Sequence, residues 1–303
     1  RKKGDKLAGE TLTEDFYGFS TSLGKGNMAV QTYYAIGWSH GADCMAFGQG
    51  FPDTTDPIHN MPVCNSGAGV KALEFFISLK PFMPPGVAAY EWDEITRDFI
   101  MKKAAMAMQW NVFTADIENP AKSKVVGNVA YCLIPGVPDA PAKNVPGVKP
   151  GEGCSSLGGW GWTVNKDSKK KDLAWTFIAW ASGIIMPREI LVDFIEKVFC
   201  PLAIEKSFDL PETTGYKVGA FKTMKEMFLR HLRRRPAIAE ETEYEIIVGT
   251  DIPLAFVGEK TAKKALDDAA KGMYDLMVRG GYIPKDVPLQ WPSKYVNPDG
   301  SVP

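Results

Sequence analysis

The chain of 303 residues lacks several features that would classify it at sight. No apolar run reaches the ~18–20 residues that a membrane span needs. The longest, 173-LAWTFIAWASGIIM-186, is interrupted by Ser182-Gly183 and reads as a buried helix. Histidine is scarce: only His40, His59 and His231 occur, which argues against a histidine-built metal site. The cysteines, Cys44, Cys64, Cys132, Cys154 and Cys200, form no C-x-x-C. Neither sign of charge dominates, since the formal net charge is −1. The short basic clusters 1-RKK-3, 168-SKKK-171 and 233-RRR-235 lie far apart and read as solvated faces, not as a nucleic-acid footprint. The opening stretch, 1-RKKGDKLAGETLTEDFYGF-19, has neither an initiator Met nor an apolar signal core. The expectation is a removed leader, or a start part-way through a longer chain.

Catalytic signatures are missing as well. There is no G-x-S-x-G and no P-loop, and the glycines of 24-GKG-26 and 48-GQG-50 lack the strand–turn–helix context of a dinucleotide site. Glu91, Asp93, Glu94 and Asp98 crowd one or two turns of a helix start. A glycosidase instead needs carboxyls on opposite sides of a sugar. No cofactor and no metal is expected. Cys44–Cys64 and Cys132–Cys154 each enclose about twenty residues, and either pair suits a disulfide in an oxidising compartment. The alternative is that all five are buried thiols; the odd count leaves at least one thiol free.

What is present is ordinary globular composition, with 45% hydrophobic and 23% charged residues. A prior of ~150 residues per domain suggests two lobes, with one large domain the alternative. Helical periodicity is legible in 29-AVQTYYAIGWS-39 and from Asn65 or Ser66 to Leu79, with Val70, Leu73, Phe76 and Ile77 on one face. It recurs in 91–105, where Ile95, Phe99 and Ala105 point inward, and in 169–182, capped by Ser168, where Leu173, Phe177 and Trp180 share a face. Further helices are expected at 187–199, 217–234 and 261–281. In the last, Ala265, Leu266, Ala269, Met273, Leu276 and Met277 form a stripe. The runs 104-AAMAMQWN-111 and 158-GGWGWTVN-165 read as strands, and the Pro/Gly stretch from Pro135 to Gly151 as a connection between lobes. Helices alternating with short buried strands indicate an α/β protein.

Aromatics stand out, with eight tryptophans. Trp38-Ser39-His40, Trp110-Asn111 and Gly159-Trp160 place an indole beside small or polar groups. That combination suits a sugar: the ring stacks on pyranose C–H faces and the neighbours take the hydroxyls. Trp175 and Trp180, in mid-helix, read as packing residues.

The ordered set 65-NSGAGVKALEFFISL-79, 102-KKAAMAMQWN-111, 132-CLIPGVP-138, 158-GGWGWTVNKDSKKKDLAWTFIAWASG-183, 235-RPAIAE-240 and 258-GEKTAKKALDDAAKGM-273 resembles the family 1 extracellular solute-binding proteins of bacterial ABC importers, the maltose-binding-protein-like group. The resemblance implies an α/β, type II periplasmic binding fold, with two lobes that close at a hinge on a carbohydrate or sugar alcohol, without catalysis. It implies that residues 1–134 and 201–303 form the second lobe and 135–200 a segment of the first, whose remainder is missing from this chain. A first lobe of that size would have a marginal core. The implied ligand contacts are Trp110, Asn111, Gly159 and Trp160, together with Gln31, Tyr33, Tyr244 and Glu245. Implied partners are a small sugar or polyol and the membrane permease of the importer, with no nucleic acid and no membrane insertion. The implied location is the periplasm, or the outer surface of a Gram-positive cell on a lipid anchor. Two alternatives remain: a carbohydrate-active enzyme with Asp116 or Glu118 close to Glu245, and the same fold with a non-sugar solute.

Overall fold

A computed structural model describes residues 1–48, 50–138, 148–149, 151–159, 161–198, 204–211 and 216–292. In chain order the elements are β1 (Lys6–Leu7), β2 (Glu10–Thr11), β3 (Tyr17–Ser20), α1 (Asn27–Ser39), α2 (Gly67–Ser78), α3 (Trp92–Ile100) and β4 (Ala104–Ala107). Then follow α4 (Thr114–Ile117), β5 (Ser155–Ser156), α5 (Lys171–Ala181), α6 (Arg188–Val198), α7 (Tyr216–Glu226), β6 (Leu232–Arg233), α8 (Glu241–Val257) and α9 (Ala262–Arg279). The chain divides into two compact units. Unit 1 comprises Arg1–Gln109, Leu133–Leu157 and Arg230–Pro303; unit 2 comprises Trp110–Cys132 and Gly158–Leu229.

These divisions differ from those expected at 134/135 and 200/201. The Pro/Gly stretch is the reason: its described part is tied into unit 1. Gly153 N–H donates to Ile134 O (2.8 Å), Val137 N–H to Ser39 O (3.2 Å) and Cys154 N–H to Ser39 Oγ (3.1 Å). β5 then pairs in parallel with β6, Ser155 opposite Leu232 and Ser156 opposite Arg233. The other pairs are the β1–β2 hairpin and parallel β3–β4, with Tyr17 opposite Ala104 and Phe19 opposite Met106.

Unit 1 holds the larger core, built on α1. Every residue of α1 from Ala29 to Ser39 is buried, and α1, α2, α8 and α9 pack together. Local signals start these helices as the sequence predicts. Ser66 Oγ accepts from Gly69 N–H at the head of α2, and Thr261 Oγ1 from Lys264 N–H (3.1 Å) at the head of α9. Each such cap is worth about 1 kcal/mol. All six stripe residues of α9 are buried. Helix 91–105 proves shorter: Ile95 is buried, Phe99 only half-buried, and Ala105 is exposed on β4.

Helix α8 has no counterpart in the sequence reading. Its β-branched residues, Gly249 and Pro253 disguise it. The structure accounts for the last two. Pro253 has no N–H, so it cannot bond to the carbonyl four residues back. That carbonyl belongs to Gly249 and accepts instead from Gly26 N–H, at 3.0 Å. A Cβ on Gly249 would sit 1.9 Å from Gly26 O. The 24-GKG-26 motif is thus a backbone docking point on α8.

Unit 2 is helical among the described residues. Its core gathers Leu191, Ile195, Leu210, Ala220, Phe221 and Met224, from α6, α7 and the turn between them. The expected strand at 158–165 forms no strand among its described residues. Helix α5 forms, but its stripe is not buried: Leu173 is 66% exposed, Phe177 53% and Trp180 40%. Trp175 is exposed too, so neither mid-helix tryptophan packs as expected.

Candidate functional site

Four of the expected contact residues lie in unit 1, on α1 and α8. A spacing of four puts Asn27 and Gln31 on one face of α1, and Glu241 and Glu245 on one face of α8. These faces meet. Gln31 Nε2 donates to Glu245 Oε1 at 2.5 Å, and Asn27 Nδ2 donates to Glu245 Oε2. Arg235 Nη1 donates to Glu245 Oε1 at 2.8 Å and lies 2.9 Å from Glu241 Oε1. The Glu241 contact is an ion pair without hydrogen-bond alignment. Both carboxylates sit in the first turns of α8, where the helix dipole favours negative charge.

Burial pushes the Glu241 carboxyl above its ordinary range, and Glu245 adds to this; Arg235 only partly opposes the two. Burial works against the Arg235 charge, but the hydrogen bond to Glu245 and both carboxylates outweigh it. Gln31 and Glu245 are nearly closed off, whereas Arg235 and Glu241 are partly exposed. Gln31 Oε1 is a buried acceptor with no protein partner.

Tyr33 and Tyr244 do not border a ligand surface. Tyr33 Oη donates inward to Cys64 O (3.2 Å), and the Tyr244 side chain is wholly enclosed with Tyr34 and Cys44. Both rings fill the core on the faces that α1 and α8 turn toward each other. Asn27, Arg235 and Glu241 were missed by sequence reasoning. The i, i+4 spacing from Gln31 and Glu245 is the signal that would have found two of them.

The basic cluster 233-RRR-235 is not a solvated face. Arg233 is buried; its Nη2 donates to Asp43 Oδ1 at 2.7 Å, and its guanidinium lies 5.3 Å from the Trp38 ring centroid. Trp38 in turn stacks on Tyr34 with centroids 4.7 Å apart. Trp38 is therefore a core residue.

Unit 2 brings Trp110, Asn111 and Gly159 close in space. The Trp110 ring lies on the backbone of Gly158: a Cβ there would be 2.4 Å from the indole. Asn111 and Gly159 are exposed beside it. Trp160 lies outside the described residues. The carboxylates proposed for an enzyme have structural partners instead. Asp116 pairs with Lys122 at 2.5 Å, and buried Glu118 accepts from Tyr131 Oη (2.9 Å) and Gly127 N–H (3.0 Å). A cavity of about 300 Å³ in unit 2, lined by Met186, Arg188, Leu191, Asp209, Leu210 and Pro211, includes none of the expected contact residues and no aromatic.

Among the described residues no cluster of metal-ligating side chains is found, and no helix is long and apolar enough to cross a membrane. The disulfide alternatives are not realised in the structure: Cys44, Cys64, Cys132 and Cys154 are free. Nor are all the thiols buried, since Cys132 is exposed. Burial pushes the Cys44 thiol up to about 12 and the Cys154 thiol up to about 11.

Residues 2–183 match the family described as bacterial extracellular solute-binding protein. A probable amino-acid ABC transporter periplasmic-binding protein of Sinorhizobium fredii is 24% identical over 273 residues, which is 88% of this chain and 54% of that protein. Among solved structures, a solute-binding protein of Agrobacterium radiobacter in complex with ribitol is 26% identical, with a TM-score of 0.64 over 86% of this chain and 60% of its own. A mannitol-bound protein of Agrobacterium vitis gives 20% identity and a TM-score of 0.63, over 89% of this chain and 63% of its own. A maltose-bound protein of T. maritima gives 17% and 0.64, over 86% and 61%. The chain thus spans little more than half the length of the relatives it matches.

Proposed function

Because the chain belongs to the bacterial extracellular solute-binding protein family, we propose that it is the substrate-binding component of an ABC importer and that its solute is a sugar or sugar alcohol. The fold is the α/β periplasmic-binding-protein fold, and the family is one that binds solutes rather than converting them. The observation that carries the reading is the Trp110 ring seated on Gly158, with exposed Asn111 and Gly159 beside it. An indole face next to an amide suits a neutral polyhydroxy compound. Gln31, with its unpartnered Oε1, and Glu245 are the assigned hydrogen-bonding contacts. The likeness to the ribitol-bound protein supports the same class of solute. Unit 1 is assigned to the second lobe and unit 2 to the first. The partner is the membrane permease of the importer, and the location is the periplasm or the outer cell surface.

One observation favours a second reading, an amino acid: the Sinorhizobium relative is named for amino acids. Arg235 and Glu241, both partly exposed, offer a charge of each sign to a zwitterion. Melting temperature and tryptophan emission should be measured against sugars, sugar alcohols and amino acids, on this chain and on Trp110→Ala. The expected result is a raised Tm with a polyhydroxy solute and affinity weakened by about tenfold in the variant, the scale of a lost aromatic contact. A response to amino acids, unchanged in Trp110→Ala, would establish the second reading. Silence toward all three classes would sink both.

A further inference from the structure

The apolar stripe of α5 points the wrong way for a finished domain. Leu173, Phe177 and Trp180 recur at the spacing of one helix face, and Ile184 continues it just past the helix end. That face is exposed, while the small residues Ala174, Ala179 and Ala181, with Ile178, are half-buried. Trp162 meets the same stripe, edge-on to Phe177 with centroids 5.9 Å apart, and is itself 63% exposed. Contiguous exposed apolar surface of this kind marks an interface. Trp162 stands in an alternating segment, Gly161-Trp-Thr-Val-Asn165, that has strand periodicity. Among the described residues no backbone hydrogen bond ties 161–164 to a sheet. The described residues of unit 2 contain no strand, although the fold is α/β. An unpaired strand sequence and an uncovered helix stripe therefore adjoin one another.

We propose that this face of unit 2 is the inner side of a half-built layer. Its occupant is a strand-bearing polypeptide of the same family, corresponding to the part of the relatives that this chain does not match, whether joined to it or separate. Two needs identify the occupant. The backbone at 161–164 requires a neighbouring strand, because an extended segment otherwise leaves its N–H and C=O groups without partners. The stripe requires apolar side chains from that same sheet, which is how a helix packs in an α/β layer. The unmatched portion of the relatives is of domain size, since this chain covers 60% of the ribitol-bound protein and 61% of the maltose-bound one. The proposal rests on family membership and not on the identity of the solute.

The test supplies the occupant. The portion of the Agrobacterium radiobacter protein without a counterpart here is added to this chain, as a separate fragment and as a fusion. Binding of an apolar dye, sedimentation, and hydrogen exchange at residues 161–165 are then followed, with no solute present. The expected result is loss of dye binding and about tenfold or greater protection of the 162–164 amides, as for groups drawn into a cooperative unit. The triple variant Leu173→Ser, Phe177→Ser, Trp180→Ser should keep its far-ultraviolet circular dichroism yet lose both responses. Trp162→Ser, a milder change, should weaken them. Three results would overturn the proposal: an unmoved 161–165 segment in both formats, full responses in the triple variant, or concentration-dependent self-association that buries the stripe against a second copy. Solute binding is not read, so failure here and failure of the sugar assignment remain separate.

Discussion

Helices α9 and α5 carry the same kind of pattern and end in opposite circumstances. In α9 the stripe Ala265, Leu266, Ala269, Met273, Leu276 and Met277 is enclosed by α2 and α8. In α5 the stripe Leu173, Phe177 and Trp180 stays in contact with solvent. A periodic stripe therefore specifies which face of a helix is to be covered. It does not specify that the covering layer is at hand. Unit 1 has that layer and unit 2 does not.

The contrast can be broken most forcefully from inside unit 1. Asp43→Ala strands the buried Arg233 guanidinium, and about 3–5 kcal/mol of stability should be lost. Urea denaturation followed by circular dichroism measures it. A loss below about 1 kcal/mol would mean that the pair is solvated. Leu266→Ala in α9 should cost about 2–5 kcal/mol. The matching Leu173→Ala in α5 should stay within about 0.5 kcal/mol, as for a surface site. Equal costs would erase the distinction between the helices.

Thiol chemistry sharpens the same comparison. In native protein at mildly alkaline pH, Cys132 of unit 2 should react with a thiol reagent. Cys44, Cys64 and Cys154 of unit 1 should react only after unfolding, since they are buried and Cys44 and Cys154 titrate near 12 and 11. Peptide mapping after alkylation decides this.

The smallest effect belongs to Glu241. Its folded carboxyl titrates above the ordinary value of 4.5 because burial disfavours the charge. The folded state thus holds the proton to higher pH than the unfolded state. The associated stability is fully present below 4.5 and is lost as pH rises through the raised folded value. Wild type should therefore lose ground relative to Glu241→Gln across that window, in paired denaturation curves. A constant difference would show that Arg235 cancels the burial effect.

Much of unit 1 was legible because its determinants are local. Ser66 and Thr261 announce helix starts within a turn, and the α9 stripe fixes its buried face. Helix α8 was not legible, because propensity argues against Ile246, Ile247, Val248, Gly249, Thr250 and Pro253. Only packing on α1 overrides it. The mutual approach of Gln31 and Glu245, more than two hundred residues apart, has no local trace. The strand expected at 158–165 has the right alternation, but a strand exists only with a neighbour. The 233-RRR-235 cluster misled for a related reason: charge counting cannot see Asp43, which comes from a distant part of the chain.

The meeting of α1 and α8 also constrains length. Glu245 is held by Asn27 and Gln31, and one turn later Gly249 is held by Gly26. Each residue inserted into or deleted from a helix rotates the downstream turns by about 100°. Adding or removing a single residue between 245 and 249 would leave one of the two attachments on the far side of α8. Descendants of this sequence can exchange side chains in that turn, but they cannot readily change how many residues it holds.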